Sequence, residues 1–338
     1  MAVTKTRPSA TTPETLKRIL SQFGPFLGLF FVYAIFALLR PDEFFTFYNF
    51  KTILTQSVIV GIAALGMTLV IISGGIDLSV GSQIALGTVA IAVVLNAVGA
   101  GAAEVAGAAP LLAVAAGIGA CALCGLVIGT ITARFNLVPF IVTLGMMQVA
   151  RGTAKWLGKE QTVATPANAL QSLMAVDPDP AWLVFAPGVW ILVILLILTS
   201  VLLKYTVFGR YVFAIGSNVQ TARLCGINVN LNKVFVYTLS SAFVGIAALM
   251  QYSNLNVGDP TAATGMELDI ITAVVIGGGS LNGGEGSAMG SIIGALIMAV
   301  LRNGCNMLGV PNYVQEIIIG IIIVGAVLID RSKRMAKA

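Results

Sequence analysis

The sequence predicts an all-α, polytopic membrane protein, and three observations carry that prediction. Only 10% of its 338 residues are Asp, Glu, Lys or Arg, against about 25% in an ordinary soluble domain. The hydrophobic fraction is 57%, with 37 glycines besides, more than a soluble globule of this size can cover with polar surface. The apolar residues come in unbroken runs such as 24–39, whereas a membrane β-barrel would show alternating segments of about ten residues. Disordered chains are polar and charge-rich, and collagen needs glycine at every third position. The chain has neither character.

Residues 1–23 form a polar leader with Lys5, Arg7, Lys17 and Arg18. Thr12, Pro13 and Glu14 read as an N-cap, a proline at the first helical position and an acid in the first turn. They predict a short amphipathic helix over 13–23, lying on the membrane surface. The run 24–39 ends in Arg40-Pro41-Asp42-Glu43 and not in a small-residue cleavage site, so a removed signal peptide is not expected. Apolar segments fall at 24–39, 53–73, 79–97, 109–133, 137–156, 187–203, 233–252, 267–279, 286–305 and 313–329. These are about ten transmembrane helices, some short or broken by Gly.

Ten crossings put both termini on one side. With that side taken as cytoplasmic, the Lys and Arg residues inside are four in the leader, Arg134, four in the 204–233 loop and four in the tail. Arg40, Lys51, Arg151, Lys155, Lys159 and Arg302 lie outside. The bias supports an N-in, C-in topology. It also reads the net charge of +5 as orientation rather than as nucleic-acid binding. The organisation is then a leader over 1–23, one transmembrane domain over 24–330 and a basic cytoplasmic tail over 331–338. Two loops are long. Residues 157–186 are expected outside, with Glu160, Asp177, Asp179 and several prolines, and residues 204–232 inside. Each is either a surface for a soluble partner or a linker.

Several chemistries are excluded. There is no His, hence no Ser-His-Asp triad, no Cys-His pair and no His-based metal site. An intramembrane enzyme is accordingly the least supported class. No G-x-x-x-x-G-K-[ST] is present, since Gly158-Lys159 is followed by Glu160, so the chain has no phosphate loop of its own. Cys121 and Cys124 form a C-x-x-C inside an apolar run with no second pair nearby. They read as small packing side chains rather than as metal or redox groups. No cofactor and no metal are expected in this chain.

Two places carry candidate function. In the internal loop, Ser217 reads as an N-cap with Gln220 three residues on, a capping box that also takes in Asn218 and Val219. Val219, Ala222 and Cys225 share one face, and Gly226 is a ready left-handed C-cap. This two-turn helix with one exposed cation, Arg223, either fits a cleft on another protein or is an interfacial turn.

The second place is the set of intramembrane polar groups. Asp77, Glu267, Asp269 and Glu285 sit at or near membrane depth, where an ionised carboxylate is costly unless paired or wet. Asp77 and Glu285 either cap N–H groups at a broken helix or touch substrate. Gln56, Gln83, Asn96, Gln148 and Asn306 either line a polar path or join packed helices. The candidate path or helix-break residues are Asp77, Ser79, Gln83, Thr143, Gln148, Asn282 and Glu285. A neutral, hydroxyl-rich solute suits amide and hydroxyl partners better than fixed charge does. The segments 74–82 and 278–287 each set Gly-Gly ahead of Gly-Ser and carry one acid. They are either a transporter-type repeat of interrupted helices or a coincidence in a Gly-rich chain.

Gly74-Gly75-Ile76-Asp77-Leu78-Ser79-Val80-Gly81 resembles the signature of the ribose-type permeases of bacterial ABC importers. So do Pro139-Phe140-Ile141-Val142-Thr143-Leu144-Gly145, Thr206-Val207-Phe208-Gly209-Arg210 and Ala214-Ile215-Gly216-Ser217-Asn218. Ala222-Arg223-Leu224-Cys225-Gly226-Ile227 and the run 273–290 match as well. The likeness covers about 45–330 in order. It implies a multi-pass permease in the bacterial cytoplasmic (inner) membrane, in contact with lipid, forming a dimeric pore with a second permease subunit, most simply an identical one. It also implies a cytoplasmic ATPase that binds the ATP, and a soluble solute-binding protein outside. By the same resemblance, the helix at 218–226 corresponds to the coupling helix that docks into the ATPase, with Ser217, Asn218, Gln220, Ala222, Arg223 and Gly226 as its residues. Family members move ribose, xylose, arabinose, galactose and similar solutes, and related permeases carry nucleosides or a furanosyl signal molecule. The alternative from another class is a secondary transporter driven by an ion gradient through a membrane-embedded carboxylate.

Overall fold

The structure is a computed structural model and describes residues 12–99, 104–105 and 107–335. The leader up to residue 11 and the last three residues of the basic tail lie outside the described residues. The helices are α1 (Thr12–Leu39), α2 (Pro41–Phe44), α3 (Phe47–Ile72), α4 (Val80–Val98), α5 (Ala109–Phe135), α6 (Pro139–Leu157), α7 (Pro187–Tyr205), α8 (Val207–Ser217), α9 (Val219–Leu224), α10 (Val229–Leu255), α11 (Met266–Ile276), α12 (Ala288–Met307) and α13 (Asn312–Met335). Each of the ten apolar segments falls on one helix. The expected surface helix over 13–23 and the first apolar run form a single helix, α1, with Pro25 inside it.

The chain is a multi-pass, all-α membrane protein. Among the described residues, six stretches are long and apolar enough to cross a membrane: α3, α4, α5, Ala181–Tyr205, α10 and α12. Helix α11 is different. Its 11 residues span about 16 Å at 1.5 Å per residue, roughly half of a hydrocarbon core. The irregular chain before it runs along α4. Gly258 packs on Thr88, Val89 and Ala92, and Gly81 packs on the Glu267 carboxylate.

Local sequence sets the helix ends. Pro110, Pro139 and Pro187 stand at N1 or N2 of α5, α6 and α7, where a missing N–H costs nothing. The Thr46 hydroxyl accepts from Asn49 N at the start of α3, and Ser287 does the same for Gly290 N at α12. Asn136 and Asn256 close α5 and α10 in the left-handed region, at φ 51° and 59°.

Burial separates inner from outer helices. The apolar window of α3 is 89% buried, and that of Ala181–Tyr205 only 22%. An apolar helix left uncovered in this way lies at the outside of the bundle, where lipid or another apolar surface can cover it. Between α5 and α10 the backbones meet through small residues: Gly125 and Gly129 lie against Tyr237 and Val234, and Gly245 lies against Ile118.

The 157–186 loop is tied down along its length. Within it, β2 (Val163–Ala164) pairs antiparallel with β4 (Val257–Gly258), and β3 (Ala167–Asn168) pairs parallel with β1 (Glu104–Val105). Asn96 donates to Ala164 O at 2.8 Å, Thr165 and Asn168 bond the Tyr252 hydroxyl, and Lys51 pairs with Asp177.

Candidate functional site

Three places concentrate polar groups. The first is the break between α3 and α4. Asp77 is fully buried there, and its Oδ1 accepts from Ser79 N at 2.8 Å and from Ser79 Oγ at 2.5 Å. Gln83 Nε2 donates to the same hydroxyl at 2.8 Å, and Cys121 Sγ donates to Gln83 O at 3.2 Å. The carboxylate thus closes a turn immediately before α4, and Ser79 is the N-cap residue. Asp77 Oδ2, Gln83 Oε1 and the Tyr237 hydroxyl are buried without a partner among the described residues, so one carboxylate oxygen holds the turn. Thr143 is buried and donates to Phe140 O at 3.1 Å and to Ile76 O at 3.4 Å, which brings α6 onto the same break.

The second place is a cavity of about 860 Å³ beside the first half of α3. Gln56, Gln251, Asn254 and Asn306 line it, together with the pair Arg302–Asp269. Arg302 donates to Asp269 Oδ2 at 2.5 Å, and Gln315 Nε2 holds Asn306 Oδ1 at 2.8 Å. Met174 and Val176 bring the 157–186 loop to its rim. Side-chain amides both donate and accept, and an Arg–carboxylate pair offers directed donors beside acceptors. The surface suits a ligand rich in hydroxyls.

None of Asp77, Ser79, Gln83, Thr143, Gln148, Asn282 and Glu285 lines this cavity. Gln148 lies exposed on α6, and Asn282 and Glu285 are exposed in the second break. Of the amides singled out by sequence, Gln56 and Asn306 do line it. Sequence reasoning missed Gln251, Asn254 and Arg302. The available signal was a cation near the end of an apolar helix, with a carboxylate, Asp269, at the start of another.

The third place is the α8–α9 loop. The cap of α9 is Asn218 and not Ser217: Asn218 Oδ1 accepts from Thr221 N at 2.9 Å, while Ser217 is the last residue of α8. Helix α8 runs one residue into the expected capping box, so the cap moves by one position and Gln220 is left exposed. At the other end the expectation holds. Gly226 has φ 81°, Gly226 N bonds Arg223 O at 3.0 Å, and Ile227 N bonds Ala222 O at 3.1 Å, a Schellman ending.

The face shared by Val219 and Ala222 is turned inward. Ala222 is buried with Ile215 and Val229 in the loop's own small core, with Val219 and Ile227 packed against it, and Cys225 is exposed. Gln220, Thr221, Arg223 and Leu224 of α9 are exposed, Leu224 at 89%. Leu224 and Arg223 thus lie on the side of α9 away from the loop's own core.

The family described as "Branched-chain amino acid transport system / permease component" matches residues 49–327. The chain is 40% identical to the ribose import permease protein of Escherichia coli K12, over 91% of this chain and 93% of that protein. It is 37% identical to the ribose import permease protein of Bacillus subtilis 168, over 93% and 94%. It is 36% identical to the fructose import permease protein of Rhizobium meliloti, over 93% and 86%. No solved structure matches the chain.

Proposed function

The chain belongs to the family of permease components of the branched-chain amino acid transport type, in its ribose-type branch, and from that premise we propose that it is the membrane-spanning subunit of an ABC importer for a monosaccharide. The observation that carries this reading is the end-to-end likeness to import permeases named for ribose and fructose, at 36–40% identity. The subunit does no covalent chemistry. Its contribution is to stabilise two arrangements of the same helices differently.

We read nine of the helices that carry apolar segments as crossings and α11 together with the break at 277–287 as a tenth, with both termini in the cytoplasm. Two features support this topology besides the Lys and Arg bias. The cavity lies among the ends of α3, α10, α11, α12 and α13 that this topology puts outside, and the 157–186 loop reaches its rim. The basic α8–α9 loop lies at the opposite, cytoplasmic end. A soluble binding protein then delivers sugar to the outer face at 157–186 and 253–266. The amides and the Arg302–Asp269 pair receive its hydroxyls. An ATPase takes Leu224 and Arg223 of α9 in a cleft and supplies the ATP site. A second permease subunit, most simply identical, completes the pore in the bacterial cytoplasmic membrane. The domain division at 23 and 330 follows from the same topology.

Isolated chain in liposomes tests the reading against ion-driven transport. It is expected to accumulate neither D-ribose nor D-fructose under a proton or sodium gradient, and to acquire ATP-dependent uptake when the ATPase and binding protein are added. Gradient-driven accumulation by the chain alone would assign it to the secondary transporters.

A further inference from the structure

Three segments far apart in sequence meet largely backbone to backbone. They are the end of α3 at Ile72–Gly74, the end of α8 at Gly216–Ser217, and the second break at Asn282–Gly286. Gly284 N donates to Ile72 O at 2.8 Å. A Cβ on Gly216 would overlap that same carbonyl and stand 2.6 Å from Gly284 N. A Cβ on Gly283 would stand 2.7 Å from Gly216 O and 2.9 Å from Gly74 Cα, and one on Gly284 would stand 2.7 Å from Ser217 Oγ. Gly74, Gly283 and Gly284 have φ of 81°, 86° and 78°, where only glycine sits without strain. The two Gly-rich breaks noted in the sequence therefore touch each other, and α8 touches both.

We propose that this glycine junction is the mechanical link through which movement of the α8–α9 loop reaches both helix breaks. The inference rests on the reading of α9 as the helix that docks the ATPase. Two features separate a link from mere packing. Only Ser217 and the extended Asn218 (φ −161°) stand between Gly216 and α9, so a displaced α9 carries Gly216 with it. The other end of the loop reaches the first break as well: α10 starts at Val229, and its Tyr237 hydroxyl lies against Gly75. Backbone packed on backbone has no rotamers in which to absorb a shift, so a displacement on one side must appear on the other.

The test uses the full complex of permease, ATPase and binding protein in proteoliposomes, with whichever of D-ribose, D-fructose and L-arabinose gives the highest wild-type uptake. Gly216→Ala is expected to keep the ATPase bound and hydrolysing, while sugar moved per ATP falls about tenfold. Gly119→Ala, whose added methyl meets nothing within 4 Å, is expected to match wild type. A Gly216→Ala ratio within about twofold of wild type overturns the proposal.

Should Gly216→Ala not fold, bulk is added after folding. Ser217→Cys, in a Cys225→Ser background, is labelled in the assembled complex with a methanethiosulfonate reagent. Uptake is expected to fall and to return on reduction, with the ATPase bound throughout. Undiminished uptake at full labelling, or a loss caused only by release of the ATPase, overturns the link. Leu224→Asp tests the underlying reading separately. It is expected to release the ATPase, and retention there would remove α9 as the docking helix while leaving the Gly216→Ala ratio to be read on its own.

Discussion

Asp77→Leu is expected to lower the yield of folded protein roughly tenfold and to abolish uptake with it. The carboxylate is fully buried and holds Ser79 N–H and Ser79 Oγ–H. Leucine leaves both donors in a low-dielectric site. A buried polar group stripped of its partner costs about 1–3 kcal/mol, and about 1.4 kcal/mol is a factor of ten in the folded ratio. Asp77→Asn keeps the accepting Oδ1, so it is expected to retain most of the yield and part of the transport. The check is monodisperse yield in detergent measured beside uptake for both variants. Normal yield of Asp77→Leu with a changed choice of sugar would move Asp77 from the scaffold to the substrate path. Its position supports the scaffold, because the hydrogen-bonded turn is apart from the cavity lined by Gln56 and Arg302.

Arg302→Gln is expected to reduce sugar uptake about tenfold while lowering folded yield less than Asp77→Leu does. The side chain of Asp269 is 8% exposed and that of Arg302 is 44% exposed. Removing the cation leaves a largely buried carboxylate unpaired, a cost that water reaching the Arg302 side softens. The double variant Arg302→Gln with Asp269→Asn removes both charges. It is expected to restore yield without restoring uptake, because the directed donors toward the cavity are still lost. Uptake by the double variant equal to wild type would take the cavity off the transport path.

The long helices were legible because they are continuous apolar runs, most of them bounded by Pro, Asn or a capping hydroxyl. The half-length α11 and the two breaks also announced themselves, since Gly74-Gly75 and Gly278-Gly279 interrupt runs that would otherwise continue. Gly226 was legible for a local reason: a left-handed helix ending is written in one residue. Ser217 was misleading for a local reason too. Ser217 and Asn218 are both good caps, and which one serves depends on where α8 stops. The burial of Ala222 was not legible, because its partners, Ile215 and Val229, lie seven residues away on each side, outside the pattern of one two-turn helix. The cavity was legible least. Its polar residues come singly from separate helices, and Asp269 and Arg302 are brought together only when α11 packs on α12. Contact between the two breaks is likewise tertiary, although both breaks are visible as motifs.

ATP-driven accumulation by the reconstituted complex, with D-ribose, D-fructose and L-leucine offered in parallel, separates sugar import from amino-acid import. A sugar is expected to accumulate only when ATP, the ATPase and the binding protein are all present, and L-leucine is expected not to accumulate. Accumulation of L-leucine without either sugar would contradict sugar import and return the chain to the amino-acid branch of its family.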